Sequence, residues 1–267
     1  MLPIPVLFIL GGVSGFLSGL LGIGGGIIMV PLLFWAFPHC GVREDLSVPL
    51  ALGTSLASAA CFTLSGALAH WKRGMVQGRR IPLLITGGVI GAIAGSTLAT
   101  WAGGPIVKRL FSALLVFAAY RLAFSKSEKA PPCKSRKSRE KTLFFLIGLA
   151  TGLVGSFFGV GGGIVAVPLM ILVFCFAPLE AVATSSAIIP AIAGMGAVSY
   201  AFHGWGKVGL PPWSLGYVNI IAWASLVSGG IISSQLGVWV GHKMGSLYLK
   251  RAFSVLLFAI AFKLIKG

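Results

Sequence analysis

Apolar residues along this chain fall in long blocks, and the charged residues lie almost entirely between the blocks. That pattern predicts membrane helices rather than a soluble core. Ten apolar segments can be drawn, at roughly 4–21, 26–37, 48–69, 81–101 and 106–124, then 142–158, 163–177, 183–202, 212–240 and 250–266. Between the two sets of five lies a polar stretch, Ser125–Lys141, with Pro131-Pro132 and seven bases against two acids. It reads as a linker between two halves.

The second segment of each half is too short to cross a bilayer. Gly26 to Phe37 reaches about 18 Å as a helix, against a hydrocarbon core of about 30 Å. The first segment of each half is marginal, so each opening pair is expected to be a glycine-broken or re-entrant hairpin. The first apolar stretch lacks the basic start and small-residue cleavage site of a signal peptide, and is expected to belong to the mature fold.

The halves repeat one another. Gly15–Leu32 reads GFLSGLLGIGGGIIMVPL and Gly152–Leu169 reads GLVGSFFGVGGGIVAVPL, identical at nine of eighteen positions. Ala51-Leu52-Gly53-Thr54-Ser55 matches Ala181-Val182-Ala183-Thr184-Ser185, and Arg109-Leu110-Phe111-Ser112 matches Arg251-Ala252-Phe253-Ser254. Three matches in the same order indicate an internal duplication. Small residues also recur every fourth position, as in Gly11/Gly15/Gly19, Gly87/Gly91/Gly95 and Ser225/Gly229/Ser233/Gly237. In lipid such stripes let helix backbones approach closely, and packing is the role expected of them.

Composition sharpens the picture. Of 267 residues, 57% are hydrophobic and 10% charged, and the mean hydropathy is +0.97. The net charge of +16 would suggest nucleic acid in a soluble protein. Here the bases sit between apolar blocks, which points to topology and anionic lipid instead. Lys72/Arg73/Arg79/Arg80, Arg121 with the linker, and Lys243/Lys250/Arg251 form three basic clusters, and the intervening loops hold at most two bases each. The positive-inside rule makes the three clusters cytoplasmic and puts both termini outside. Each half then crosses an odd number of times, so the repeats are expected to be inverted. The expected fold is an all-α polytopic membrane protein with repeats at 1–124 and 142–267 and a basic cytoplasmic linker at 125–141. Cys40, Cys61, Cys133 and Cys175 form no CxxC pair, disulfide framework or zinc site, and read as apolar fillers and one loop thiol.

The sharpest chemical signal is the pair of glycine breaks, Gly22-Ile23-Gly24-Gly25-Gly26 and Gly159-Val160-Gly161-Gly162-Gly163. Glycine triplets are costly in a helix interior, and irregular backbone at membrane depth is tolerated only inside protein or along a cavity. A new helix starts after each break, and its free N–H groups and positive dipole end suit an anion. Paired breaks at matching places in two halves point to a transport site. The candidate substrate-binding residues are Gly24, Gly25, Gly26, Gly161, Gly162 and Gly163, with the hydroxyls of Thr54, Ser55, Thr184 and Ser185 as donors. Asn219, Gln235 and Tyr200 read as glue between helices. No Lys-Ser/Thr follows either break and no strand precedes it, which excludes a P-loop and a dinucleotide fingerprint.

All five acids and all four histidines fall in loops within boundary error. Proton pumping and cation transport, which favour intramembrane ionisable groups, are therefore disfavoured. So is an intramembrane enzyme, which needs a nucleophile–base, paired-acid or metal-ligand set. No catalytic residue, metal or cofactor is expected.

The doubled motif, GIGGGIIMVPL and GVGGGIVAVPL on either side of a basic linker, together with the Thr-Ser pairs, resembles the sulfite exporter TauE/SafE family of bacterial membrane permeases. The resemblance covers nearly the whole chain. It implies transport of sulfite, organosulfonates or related small anions across the inner membrane, an exporter being the expected direction and an anion channel or an importer of a related oxyanion the alternatives. The motif falls on Gly22, Gly24, Gly25, Gly26 and Pro31, and on Gly159, Gly161, Gly162, Gly163 and Pro168. The second half departs at Ala183, opposite Gly53, and at Gly204-Trp205-Gly206, opposite Trp71-Lys72-Arg73-Gly74. The implied partners are a small inorganic or organic anion and the lipid bilayer, with a homodimer admitted and no nucleic acid.

Overall fold

The computed structural model describes residues 4–72, 74–75, 81–123 and 140–243, with the side chains of 117–123 and 242–243 left aside. Nine helices appear among the described residues: α1 (Ile4–Leu21), α2 (Gly26–His39), α3 (Glu44–Trp71), α4 (Ile81–Ala102), α5 (Gly104–Ala123), α6 (Glu140–Phe157), α7 (Gly163–Phe174), α8 (Pro178–His203) and α9 (Ile220–Lys243). Six of them, α1, α3, α4, α6, α8 and α9, are long and apolar enough to cross a membrane. The expected segments 250–266 and 125–139 lie outside the described residues. The helical, polytopic expectation holds, with one difference in the segment drawn at 212–240.

That segment opens with a small antiparallel hairpin, β1 (Ser214–Leu215) and β2 (Val218–Asn219), before α9 begins. Pro211 and Pro212 cannot donate to a helix ladder. Gly216 adopts φ 53 in the two-residue turn between the strands, a position that in such hairpins favours glycine. Asn219 then caps α9, its Oδ1 accepting from the N–H of Ala222 at 2.9 Å.

Both glycine breaks make hairpins. At the open end of the second, Phe144 of α6 and Phe174 of α7 stack with ring centroids 3.8 Å apart. In the first, Leu7 of α1 and Phe37 and Cys40 at the end of α2 line one cavity of about 220 Å³. In each case the second arm returns to the end where the first began.

The small-residue stripes fit helix against helix. Gly11, Gly15 and Gly19 of α1 press on the backbone of Leu226, Gly230 and Ser234 of α9, in ascending order, so these helices run parallel. Gly87, Gly91 and Gly95 of α4 meet Phe145, Leu149 and Leu153 of α6 in the same manner. A Cβ at any of these glycines would collide with a carbonyl, which leaves only glycine at the seam. The repeats are thus interlocked: the first arm of each hairpin packs on the fourth helix of the other half. The centre is α3 against α8, with Gly53 beside Tyr200 and Leu56 beside Gly196, so that these equivalent helices cross antiparallel.

Six of the seven tryptophans are exposed at or near helix ends: Trp35, Trp101, Trp205 and Trp213 at one end of the bundle, Trp71 and Trp239 toward the other. Such girdles mark the two membrane interfaces. Two local expectations change. Cys175, at the left-handed end of α7, is disulfide-bonded rather than a filler, whereas Cys40 and Cys61 are free. His70, at the margin of its segment, lies in the last turn of α3 and is only 1% exposed, where a solvated end was expected.

Candidate functional site

The two glycine breaks meet tip to tip in the middle of the bundle. Gly24 faces the Val160 carbonyl and Gly161, and a Cβ on Gly26 would stand 2.5 Å from the Gly159 oxygen. Gly163 sits in the corresponding way on Gly22 and Ile23. Backbone fills the seam between the tips in this conformation. The glycines are what allow it, since Gly22, Gly24, Gly25, Gly159, Gly161 and Gly162 all have positive φ.

The Thr-Ser pairs come to the same place, but three of their four hydroxyls are engaged. Ser55 donates to the Gly159 oxygen at 2.8 Å and Ser185 donates to the Gly22 oxygen at 3.0 Å. Each serine thus ties its own half to the glycine break of the other. Thr54 Oγ1 accepts from the backbone N–H of Asn219 at 3.0 Å. Its counterpart Thr184 is fully buried with a hydroxyl that has no partner. The two sides of the centre are therefore inequivalent, and the β1–β2 hairpin is what makes them so. Burial, reinforced by the nearby Asp45 carboxylate, pushes the pKa of the Tyr217 hydroxyl in that hairpin above its ordinary range, so Tyr217 stays neutral.

The helices that leave the breaks begin without side-chain caps. Gly25 and Gly162 are the N-cap residues, both left-handed, and neither receives a capping side chain. The first ladder bonds of α2 run from Ile28 and Met29 to the Gly25 oxygen, and those of α7 from Val165 and Ala166 to the Gly162 oxygen. The N–H groups of Gly26 and Ile27, and of Gly163 and Ile164, therefore precede the ladders. Both starts lie in the protein interior.

Other predicted polar residues act between helices. Tyr200 donates its hydroxyl to the Ser156 oxygen at 3.1 Å, and Gln235 donates to Ser65 Oγ at 3.2 Å, both in the glue role expected. Asn219 does more, joining Thr54, Pro212, Ser214 and Ala222. Sequence reasoning passed over Ser14, Ser18 and Thr151. All three are buried, and none of their hydroxyls has a partner. The duplication held the clue, because Ser14 and Thr151 each stand eleven residues before the N-cap glycine of their own half. Among the described residues no cluster of His, Cys, Asp or Glu could hold a metal ion.

Broken helices paired between two halves, packed through glycine seams and ringed by tryptophan, define a multi-pass membrane protein of the transporter class. The pattern of the sulfite exporter TauE/SafE family matches residues 7–264, and the chain belongs to that family. A "Probable membrane transporter protein" of Haemophilus influenzae is 28% identical over 254 residues, covering 95% of this chain and 94% of that protein. Another, of Methanocaldococcus jannaschii, is 30% identical over 263 residues, covering 96% and 93%. A third, YunE of Bacillus subtilis, is 27% identical over 276 residues, covering 97% and 96%. No solved structure matches the chain. It is a membrane transporter of this family.

Proposed function

We propose that the chain exports small sulfur-containing anions, sulfite or an organosulfonate among them, across the bacterial inner membrane. The two halves act as inverted repeats about the meeting point of the glycine breaks, and both termini lie outside. The observation that carries this reading is the pair of buried, uncapped helix starts at Gly25 and Gly162, which the inverted arrangement would reach by hairpins from opposite ends of the bundle. Each start directs backbone N–H groups and a positive dipole end toward the middle of the membrane, where an anion is the natural complement. The antiparallel crossing of α3 and α8 supports the inversion, as do the three basic clusters in the sequence.

Transport requires the tips to part. In the closed conformation Ser55 and Ser185 hold the seam, and Asn219 holds Thr54. Release of one half of these contacts at a time would expose the centre alternately to each side. Among the described residues no base projects into the centre, so the anion is held by dipoles, N–H groups and hydroxyls, which suits release as well as capture. An inside-negative potential drives an anion outward by about 2.3 kcal/mol per charge per 100 mV.

Purified protein in liposomes, loaded with sulfite, sulfate, thiosulfate or methanesulfonate, tests the proposal. Saturable efflux of at least one of them, faster when the potential favours anion exit, is the expected result. Absence of flux for all four, or flux indifferent to potential, would remove it. Replacing Gly25 and Gly162 by leucine should abolish whatever flux is found.

A further inference from the structure

We infer that the hydroxyls which hold the transported anion are Ser14 and Ser18 in the first hairpin and Thr151 in the second. This rests on the anion reading above and changes where the seat lies. The Thr-Ser pairs of α3 and α8 flank the seam between the tips. Of the residues named here, Ser14 and Thr151 lie against the N-cap glycine of the second arm of their own hairpin, and Ser18 stands on the first arm one turn further along.

The placement is direct. A Cβ on Gly25 would meet the main-chain oxygen of Ser14 at 2.6 Å and its Cβ at 3.3 Å. A Cβ on Gly162 would meet the main-chain oxygen of Thr151 at 2.5 Å and its methyl Cγ2 at 2.6 Å. Each uncapped N-cap thus rests on the residue that carries an unpartnered hydroxyl. Gly155 closes on the Gly162 nitrogen, and the equivalent position in the first half is Ser18, whose carbonyl accepts from the Gly22 N–H at 2.8 Å.

What singles these hydroxyls out is the contrast with their neighbours. A serine or threonine inside an apolar helix ordinarily bonds back to a carbonyl one turn earlier. Ser58, Thr63, Ser96 and Ser112 all do so here. Ser14, Ser18 and Thr151 do not, although they are at most 1% exposed. A buried hydroxyl without a partner is unfavourable, and an oxyanion entering the hairpin would satisfy it together with the first N–H groups of α2 or α7. Ser156, Thr184 and Ser186 also lack partners, but Ser156 Oγ lies against Gly196 of α8, and Thr184 and Ser186 stand on α8, outside the two hairpins. The first seat offers two hydroxyls and the second one, which fits an anion with several oxygens and makes the first hairpin the tighter holder.

The test uses the full chain in liposomes and the anions named above. Variants S14A/S18A and T151V remove the hydroxyls, and T151S keeps the hydroxyl while removing the methyl group against Gly162. For whichever anion the wild type carries, KM should rise about tenfold or more in S14A/S18A and T151V and stay near wild type in T151S. If T151V fails to fold, S14A alone decides, since it removes a single oxygen. Unchanged KM in the hydroxyl-free variants, with wild-type flux present, would overturn this inference and leave the transport reading standing. No wild-type flux for any of the four anions would bring down both.

Discussion

Ser55 donates a hydrogen bond to the main-chain oxygen of Gly159 at 2.8 Å, across 104 positions of sequence. The mirror bond, from Ser185 to Gly22, spans 163 positions. Because the donors are equivalent in the duplication and so are the acceptors, the two bonds are one interaction used twice, and each half locks the break of the other.

Removing either lock leaves a buried carbonyl without its donor. Ser55→Ala and Ser185→Ala should each destabilise the folded protein by about 1–3 kcal/mol. Thermal unfolding in detergent is the readout, and the two losses should be similar in size. A large loss at one site and none at the other would mean that the crossed pair does not share the load.

Glycine is required at the seam for space as well as for backbone freedom, and the two requirements separate by position. Gly26 has ordinary helical geometry, yet a Cβ there would meet Gly159 O at 2.5 Å. Gly41 has φ 82 but nothing within 4 Å of a Cβ. Gly26→Ala should cost about 1–3 kcal/mol by overpacking and impair transport. Gly41→Ala should cost about 1–2 kcal/mol by strain and leave transport intact. Equal loss of flux in both would assign the glycines to folding alone.

The fold was legible where local physics decides it. The helices over 4–21 and 81–102 follow from unbroken apolar runs, and α2 and α7 begin where glycine ends and a branched apolar run starts. The duplication was legible because glycine triplets tolerate few substitutes. The β1–β2 hairpin was not, because an apolar count cannot distinguish Leu215 and Val218 in strands from the same residues in a helix. The partners of the hydroxyls were not legible either. Ser55 and Ser14 are both serines on apolar helices, and only the packing of the other half determines which finds a carbonyl. The burial of His70 was not legible, because a polar residue near a helix end looks solvated until its neighbours close over it.

Asn219 is the hinge of the asymmetry between the two sides. Its side chain caps α9, its amide group reaches Pro212 and Ser214, and its backbone N–H takes Thr54 Oγ1. Asn219→Ala should cost about 0.5–2 kcal/mol through the lost cap. Asn219→Asp keeps the acceptor for the Ala222 N–H and should recover most of that in thermal unfolding. Recovery no better than alanine would place the weight on the donor bonds to Pro212 and Ser214 instead.

Orientation can be read from two labels placed at opposite ends of the bundle. Cys40 is a free, half-buried thiol at the end of α2, beside the start of α1, in the cavity of about 220 Å³. Lys141 is exposed at the start of α6, the helix equivalent to α1 in the other half. The proposed topology puts Cys40 outside and Lys141 in the cytoplasm. A membrane-impermeant maleimide applied to intact cells should therefore modify Cys40, identified by peptide mass spectrometry and absent in Cys40→Ser. A cysteine at Lys141→Cys should react only after the membrane is permeabilised. Reversed labelling would flip the protein in the membrane and keep the inversion. Labelling of both positions from one side would end the inversion itself, because the two hairpins would then open toward the same compartment and could not offer a central anion to opposite sides in turn.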